Sequence, residues 1–344
     1  MKLVLIALLG FSAASAFVVK NQETLVISSE AEVLSGEALA SYVNANQKLW
    51  TAKNPNLSEE KQKAKLMDLM YLEAPAADEI APELQHIQLD DIPTSFDARK
   101  QWAQCPSIGA IRDQSDCGAC WAFAAAEAMS DRTCIASNAK VNPTLSADDI
   151  LSCCGSACGN GCKGGYPIQA FKFWNSHGVC TGGLYGSHVG CKPYPFAPCG
   201  SHANEQACPE SEYDTPKCTS TCLESSYKIS YNDDKHYGKT AYGVSKNVAA
   251  IQKELMSHGP VEAAFTVYED FYHYTGGVYV HTGGKRLGGH AVKIVGWGVD
   301  NGTPYWNIAN SWSTTWGEKG FFRIIRGVNE VGIEGGIVAG LPRV

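Results

Sequence analysis

The sequence predicts an α+β architecture: a helical half, then a glycine-rich β half, behind a separate, partly helical N-terminal segment. Three observations carry this. Helix signals gather at residues 120–131, 146–149 and 166–177. From about Ser225 short β-branched and aromatic runs bounded by Gly or Pro take over. All 14 cysteines lie between Cys105 and Cys222, so the chain before them is compositionally distinct.

The chain has 344 residues, 44% hydrophobic and 18% charged, with a formal net charge of -7. The length suggests roughly two domains. The acidic balance lacks the basic footprint of a nucleic-acid binder, and no run reaches the ~20 apolar residues of a membrane span. Met1-Lys2, the apolar run Leu3-Val4-Leu5-Ile6-Ala7-Leu8-Leu9 and the small residues Ala14-Ser15-Ala16 read as a signal peptide over 1–16, cleaved before Phe17. No K-D-E-L ending marks residence in the endoplasmic reticulum. Secretory traffic permits disulfides and glycosylation of the Asn-x-Ser/Thr sites Asn56 and Asn301.

Residues 17–91 carry 6 Lys and no Arg against 13 Asp and Glu. One helix is expected from near Glu37 towards Trp50, with Leu39, Val43 and Trp50 on its apolar face. A second amphipathic run is expected over 59–72, with Leu66, Leu69 and Met70 inward. Residues 74–82 read as an extended linker. In a secretory chain this acidic segment without Cys reads as a removable pro-segment, 17–91.

Residues 92–344 form the second unit. Ala-rich 120–131 reads as a helix, Ser146 as the cap of a short one, and 166–177 as a third. Strands are expected at 261–267, 291–295, 304–309 and 321–325. Residues 180–224, with Cys191, Cys199, Cys208, Cys218 and Cys222, read as loop stapled by disulfides.

The chemistry gathers at Gln114-Ser115-Asp116-Cys117-Gly118-Ala119-Cys120-Trp121, which fits C-G-[SA]-C-[WY], the signature around papain and cathepsin nucleophiles. Cys120 opens a helix, where backbone N–H groups and the macrodipole favour a thiolate. A thiolate needs a histidine partner. Among nine His, His290 stands out: it follows Gly288-Gly289 and opens an apolar strand. Alone such a His is more often structural. Asn310, ending the next strand, can accept from an imidazole and orient it, and Trp312 beside it would exclude water.

These residues resemble the cathepsin B group of the papain-like cysteine peptidases. Further matches are Ile92-Pro93-Thr94-Ser95-Phe96-Asp97-Ala98-Arg99, Cys153-Cys154-Gly155, Cys162-Lys163-Gly164-Gly165-Tyr166-Pro167, the run from Gly183 to Cys191, Asp234-Lys235-His236-Tyr237-Gly238 and Trp316-Gly317. The resemblance covers nearly all of 92–344. It implies a papain-like two-domain fold: a helical left domain over about 92–224, a β-barrel-like right domain over about 225–344, a cleft between them, and an occluding loop at about 191–222. It implies a cysteine endopeptidase acting through a Cys120–His290 pair and an acyl-enzyme. Gln114 would donate to the oxyanion, a contribution of about 3–4 kcal/mol per donor. Gly164, Gly165, Tyr166, Pro167, Ala291, Gly336, Trp312 and His202 would touch substrate. Gly164-Gly165 would pair with an extended backbone, although a Gly pair also suits a tight turn. The implied disulfides are Cys105–Cys134, Cys117–Cys162, Cys153–Cys218, Cys154–Cys158, Cys191–Cys222 and Cys199–Cys208. They leave Cys120 free to act and Cys180 as a buried thiol. No cofactor or metal is implied. The partners would be polypeptide substrates, cystatin-type inhibitors and the chain's own pro-segment, lying backwards through the cleft of a monomeric zymogen. The location would be lysosomal or extracellular.

Three departures from the family pattern bear on specificity. Cys199-Gly200-Ser201-His202 keeps only the second of two adjacent His that hold a substrate's C-terminal carboxylate, and Asp113 matches the acidic tether of the absent one. Reduced dipeptidyl-carboxypeptidase action is expected. Gly336 replaces the Glu that accepts Arg in the S2 pocket, so Phe, Leu or Val should be preferred over Arg at P2. Ser115-Asp116 stands in place of Gly-Ser. A solvent-facing change is the plain expectation, and a shift in acid dependence the sharper one.

Three alternatives compete. Cys117-Gly118-Ala119-Cys120 is also a C-x-x-C, but no Trp precedes it and no β-α-β pattern frames it, against a thioredoxin-like oxidoreductase. Cys153, Cys154, Cys158 and Cys162 lack the second paired cluster of a zinc site. An inactive binding protein would have lost Cys120 or His290.

Overall fold

The computed structural model describes residues 27–81, 92–199, 208–209 and 211–344. The proposed leader 1–16, the 82–91 junction, Ser201 and His202 lie outside the described residues.

The helix Cys120–Ala136 is the spine of the helical half, and all but its last two residues are buried. Its alanines, Ala122, Ala124, Ala125, Ala126 and Ala128, present little bulk, so neighbours approach it from every side. Around it pack Ala147–Cys153 and Pro167–His177. Ser146 caps the first, its Oγ accepting from Asp149 N at 3.0 Å. Pro167 opens the second at a position whose N–H needs no helical partner, and Gly178 at φ 69° ends it.

The β half is one mixed sheet. Its strands run in the order Trp50–Ala52, Tyr274–Tyr279, Phe321–Ile325, Thr303–Ala309, Arg286–Asp300, Val261–Tyr268, Gly336–Ala339, Tyr242–Gly243, with Phe96–Asp97 added to Arg286–Asp300. Among the strands of the described residues only the Tyr274–Tyr279/Phe321–Ile325 pair is parallel. The central strand is longer than the sequence suggests, so His290 lies inside it opposite Phe265 rather than opening it. Its alternation is masked because both faces are covered. Residues 248–258 form a helix that the expectation of a strand-rich half left out.

The two halves meet through buried charge. Lys293, three residues after His290, reaches Asp131 Oδ2 at 2.8 Å and Glu127 Oε2 at 3.5 Å on the Cys120 helix. Removing one partner of such a pair would strand a buried charge. The pairing therefore fixes the His290 strand against that helix.

The N-terminal segment departs most from expectation. Its helix spans Gly36–Asn46 and stops short of Trp50. Trp50 instead joins the sheet edge opposite Gly277 and donates from Nε1 to Val280 O at 2.9 Å. The second expected helix covers only Glu59–Lys63. Beyond it the chain turns at Ala64 and Lys65, pairs as extended backbone at Met67, and then forms a 3₁₀ turn over Leu69–Leu72. Leu66 is buried as expected, but Leu69 and Met70 face water. The physical reason is tertiary: Met67 pairs with Gly289, and no helix can offer both its N–H and C=O to a strand. Residues 74–82, expected as linker, include a 3₁₀ turn at Ala77–Glu79 and a bridge from Ile80 to Gly243.

Candidate active site

Cys120 occupies the first position of its helix, and Ala119 before it has no capping side chain. The N–H groups there are open to a negative charge. The backbone N–H of Ala291, next to His290, also favours the Cys120 thiolate. His290 Nε2 meets Asn310 Oδ1 at 2.7 Å. Nδ1 has no hydrogen-bond partner among the described residues, which leaves it the nitrogen available to the thiol. Asn310 Oδ1 also accepts from Ser311 N at 2.8 Å. Trp312 lies over the imidazole with ring centroids 4.6 Å apart, and Tyr272 stacks on Trp312 at 4.5 Å. The His–Asn bond is thereby kept from water.

Gln114 is fully buried. Its Oε1 accepts from Ser311 Oγ at 2.6 Å, which aims Nε2 at two carbonyls: Cys117 O at 2.8 Å and Lys65 O at 3.0 Å. The second belongs to the N-terminal segment. A peptide carbonyl thus already rests on the donor that an oxyanion would use. Ser311 links Gln114 to Asn310, a role the sequence reading missed although Ser311 stands between two residues it singled out.

The N-terminal segment fills the cleft from there. Met67 exchanges both backbone hydrogen bonds with Gly289, at 2.9 and 2.8 Å, and Asp68 N donates to Lys163 O at 3.0 Å. Met67 and Tyr71 share one apolar cluster with Cys120, Ala264 and Ala291. Tyr71 meets Tyr166 edge-on, centroids 4.9 Å apart. The edge bond falls on Lys163 rather than on the glycine pair. Gly164 accepts from Asn160 within a turn and lies so close to Met67 and Tyr71 that a Cβ there would clash. Gly165 is packed on Trp121 in the same way. A Cβ on Gly336 would only touch Ala264, at 3.8 Å, so that site has room.

Burial sets the protonation of the pair. It pushes the Cys120 thiol up to about 12, opposed in part by the N–H groups of Ala291, Trp121 and Cys120. It holds the His290 imidazole down to about 4, against the Asn310 hydrogen bond, which raises it. With the cleft covered, thiol and imidazole are both neutral, so the charge-favouring helix terminus is outweighed by desolvation.

Asp113 Oδ1 accepts from Ser115 N at 2.7 Å. Asp116 is not solvent-facing, as the plain reading expected, but fully buried. The Cys199–Cys208 disulfide lies against its side chain, and the N-terminal segment supplies its cations: Lys61 Nζ lies 3.2 Å from Oδ2 and Lys65 Nζ 3.8 Å from Oδ1. Asn56 and Asn301 are exposed, each with positive φ.

The cysteines pair as Cys105–Cys134, Cys117–Cys162, Cys153–Cys218, Cys154–Cys158, Cys191–Cys222 and Cys199–Cys208. Cys120 and Cys180 are free and buried. Cys117 is therefore not a redox partner for Cys120, and Cys153, Cys154, Cys158 and Cys162 are spent in disulfides rather than held as metal ligands. Among the described residues no helix is long and apolar enough to cross a membrane.

A family model described as papain family cysteine protease matches residues 92–341. The chain belongs to that family. It is 58% identical to cathepsin B-like cysteine proteinase 5 of Caenorhabditis elegans, with 98% of this chain and 97% of that one covered. It is 54% identical to the gut-specific cysteine proteinase of the same organism, with 96% of each covered. Among solved structures it resembles procathepsin B S9 from Trypanosoma congolense, with a TM-score of 0.74 and 36% identity over 91% of this chain and all of that one. It is a cathepsin B-like cysteine peptidase, a hydrolase with a papain-like α+β fold and an N-terminal pro-region.

Proposed function

We propose that residues 17–91 form an inhibitory pro-segment on a secreted or lysosomal peptidase, 92–344, and that removing it switches on a Cys120–His290 endopeptidase. The observation that carries this reading is the Lys65 carbonyl on Gln114 Nε2. It stands where a scissile carbonyl would, in a chain antiparallel to Gly289. The candidate P2 pocket, with Ala264, Ala291 and Gly336, lies on the Met67–Tyr71 side, so the pro-segment runs through the cleft opposite to a substrate. A reversed peptide bond does not present its carbonyl carbon and leaving nitrogen in the productive order.

Once the pro-segment leaves, water reaches the cleft and the desolvation cost on the pair falls. The Cys120 proton passes to His290 Nδ1. The thiolate attacks the scissile carbonyl carbon, and its oxygen takes the charge facing Gln114 Nε2 and the Cys120 N–H. His290 gives its proton to the departing amine as the C–N bond breaks, leaving a thioester. His290 then takes a proton from water, whose oxygen displaces the sulfur and frees the acid. Asn310 and Trp312 hold the ring for both transfers.

Gly336 leaves the P2 pocket open and uncharged, which supports hydrophobic or aromatic P2 residues over Arg. With one His in the loop motif, dipeptide release should be weak. Residues 1–16 act as the secretory leader, and Asn56 and Asn301 are the glycosylation candidates. Cystatin-type proteins would enter the same cleft of a monomer. The gut-specific relative makes a digestive lumen a reasonable destination beside the lysosome.

The test is acid-activated protein on Z-Phe-Arg, Z-Arg-Arg and a free-carboxylate dipeptide-release substrate, with and without an epoxide inhibitor. Inhibitor-sensitive Phe-Arg cleavage that exceeds the other two supports the reading. Equal or faster Arg-Arg cleavage removes the Gly336 argument, and absent activity with Cys120 unlabelled removes the whole reading.

A further inference from the structure

Asp116 is a carboxylate buried beside the cleft with cations of the pro-region as its charged partners. Its side chain is 1% exposed. Lys61 and Lys65 reach its two oxygens, and Oδ1 makes no hydrogen bond in the precursor. Lys61 Nζ also bonds Pro209 O, and Lys65 Nζ lies 3.5 Å from Cys199 O, so both ammonium groups are clasped between Asp116 and the disulfide-bonded loop. A second carboxylate is close. Glu212 Oε1 accepts from Gly118 N at 3.3 Å, Oε2 pairs with Lys163, and Asp116 acts on it through its charge.

The position along the cleft gives this cluster a meaning. Lys65 O marks the oxyanion donor. Residues 67–71 lie on the acyl side with Ala264 and Ala291, so Lys61 and Lys65 lie on the leaving-group side. When the pro-region departs, it takes both cations with it. A carboxylate then faces the leaving-group channel with an open acceptor, where a substrate ammonium or guanidinium can replace the lost pairs.

We propose that Asp116 is a specificity determinant of the processed enzyme, an acidic subsite that takes a Lys or Arg side chain one or two residues after the scissile bond, and that Lys61 and Lys65 fill it in the precursor. The proposal rests on the peptidase reading above and deepens it. Asp116 binds the leaving peptide and takes no part in bond breaking. A substrate Glu at these positions meets Asp116 and Glu212 and is rejected.

The experiment uses processed enzyme whose active concentration is set by epoxide titration. Internally quenched peptides share one acyl half and carry Lys, norleucine or Glu at the first or second leaving-side position. The wild-type enzyme favours Lys over norleucine at one of the two positions by about tenfold in kcat/KM, the size of one charge-assisted hydrogen bond, and Glu falls below norleucine. In Asp116→Asn the Lys-to-norleucine ratio drops to near unity. Because the readout is a ratio within one titrated enzyme, partial misfolding of the variant does not mimic it. A wild-type ratio near unity at both positions overturns the proposal, as does a preference that survives Asp116→Asn. A coumarin amide, which has no leaving-side residue, separates this from the reading beneath it: if the wild-type enzyme fails to cleave the amide, the peptidase reading has failed and the subsite falls with it.

Discussion

Met67→Ala should loosen the pro-region by an amount the structure sets. Met67 is 2% exposed, with Cβ against Gly164 and Cγ against Gly289. Its backbone pairing with Gly289 needs no side chain and survives the change. Truncating a buried Met costs about 2–5 kcal/mol. The vacated cleft can fill with water when the pro-region lifts, so the low end applies, and about 2 kcal/mol is about a 30-fold rise in the undocked fraction. The assay is alkylation of Cys120 in the full-length precursor at neutral pH, in a His290→Ala background that blocks self-processing. Peptide mapping separates Cys120 from Cys180. When opening and closing are fast, the labelling rate follows the undocked fraction. Met70→Ala is the control, since Met70 is 63% exposed three residues away. Met67→Ala should label about 30-fold faster, and Met70→Ala should stay near the parent rate. Equal labelling of the two variants would refute the docking account.

Other consequences follow from the same geometry. Gln114→Ala should lower kcat of the processed enzyme by about 10²–10³ with little change in KM, because the donor acts on charge that develops after binding; an unchanged kcat removes Gln114 from the oxyanion site. Glu59 is held down to about 2 by Lys285 first and Lys63 second, and Glu79 is held low by Lys172. A carboxylate lowered on docking contributes above its ordinary value, and that contribution is lost as pH falls towards the docked value. Only the Lys285 contact of Glu59 crosses to the peptidase, so self-processing should accelerate as pH falls below about 4.5 and that contact is lost. Glu59→Gln with Glu79→Gln should flatten that rise and shrink its salt dependence, since these are exposed, screened pairs. An undiminished acid response in the double variant would place the trigger elsewhere. Gly336→Glu, entering a site with room, should raise Arg over Phe at P2 by about tenfold or more; an unmoved ratio would mean the pocket floor lies elsewhere.

The helical spine was legible because its signals are local, and the candidate pair Cys120 and His290 rests on local signals too. Cys120 sits in a dense motif at a helix start, and Asn310 and Trp312 stand within three residues of each other. The glycines before His290 marked it although its place inside a 15-residue strand did not show. Residues 64–68 misled because their amphipathic spacing suits a helix, while pairing with Gly289 demands extension. Trp50 failed for the same reason, completing an apolar period yet serving a sheet edge. The Val248–His258 helix was available from Asn247, which caps it, and from the spacing of Ile251 and Leu255. Asp116 read as solvent-facing because what covers it is distant in sequence: two lysines more than fifty residues earlier and the Cys199–Cys208 disulfide.

Docked, the pro-region should keep the Cys120 thiol neutral, and its removal should make that thiol reactive. The direct measurement is the rate of Cys120 alkylation against pH in the intact precursor and in the processed protein. Labelling of the precursor should stay slow across mildly acid and neutral pH, because the docked pro-region covers the thiol and burial holds it up, and labelling of the processed protein should be fast already in mild acid. Equal rates for the two at mildly acid pH would contradict it.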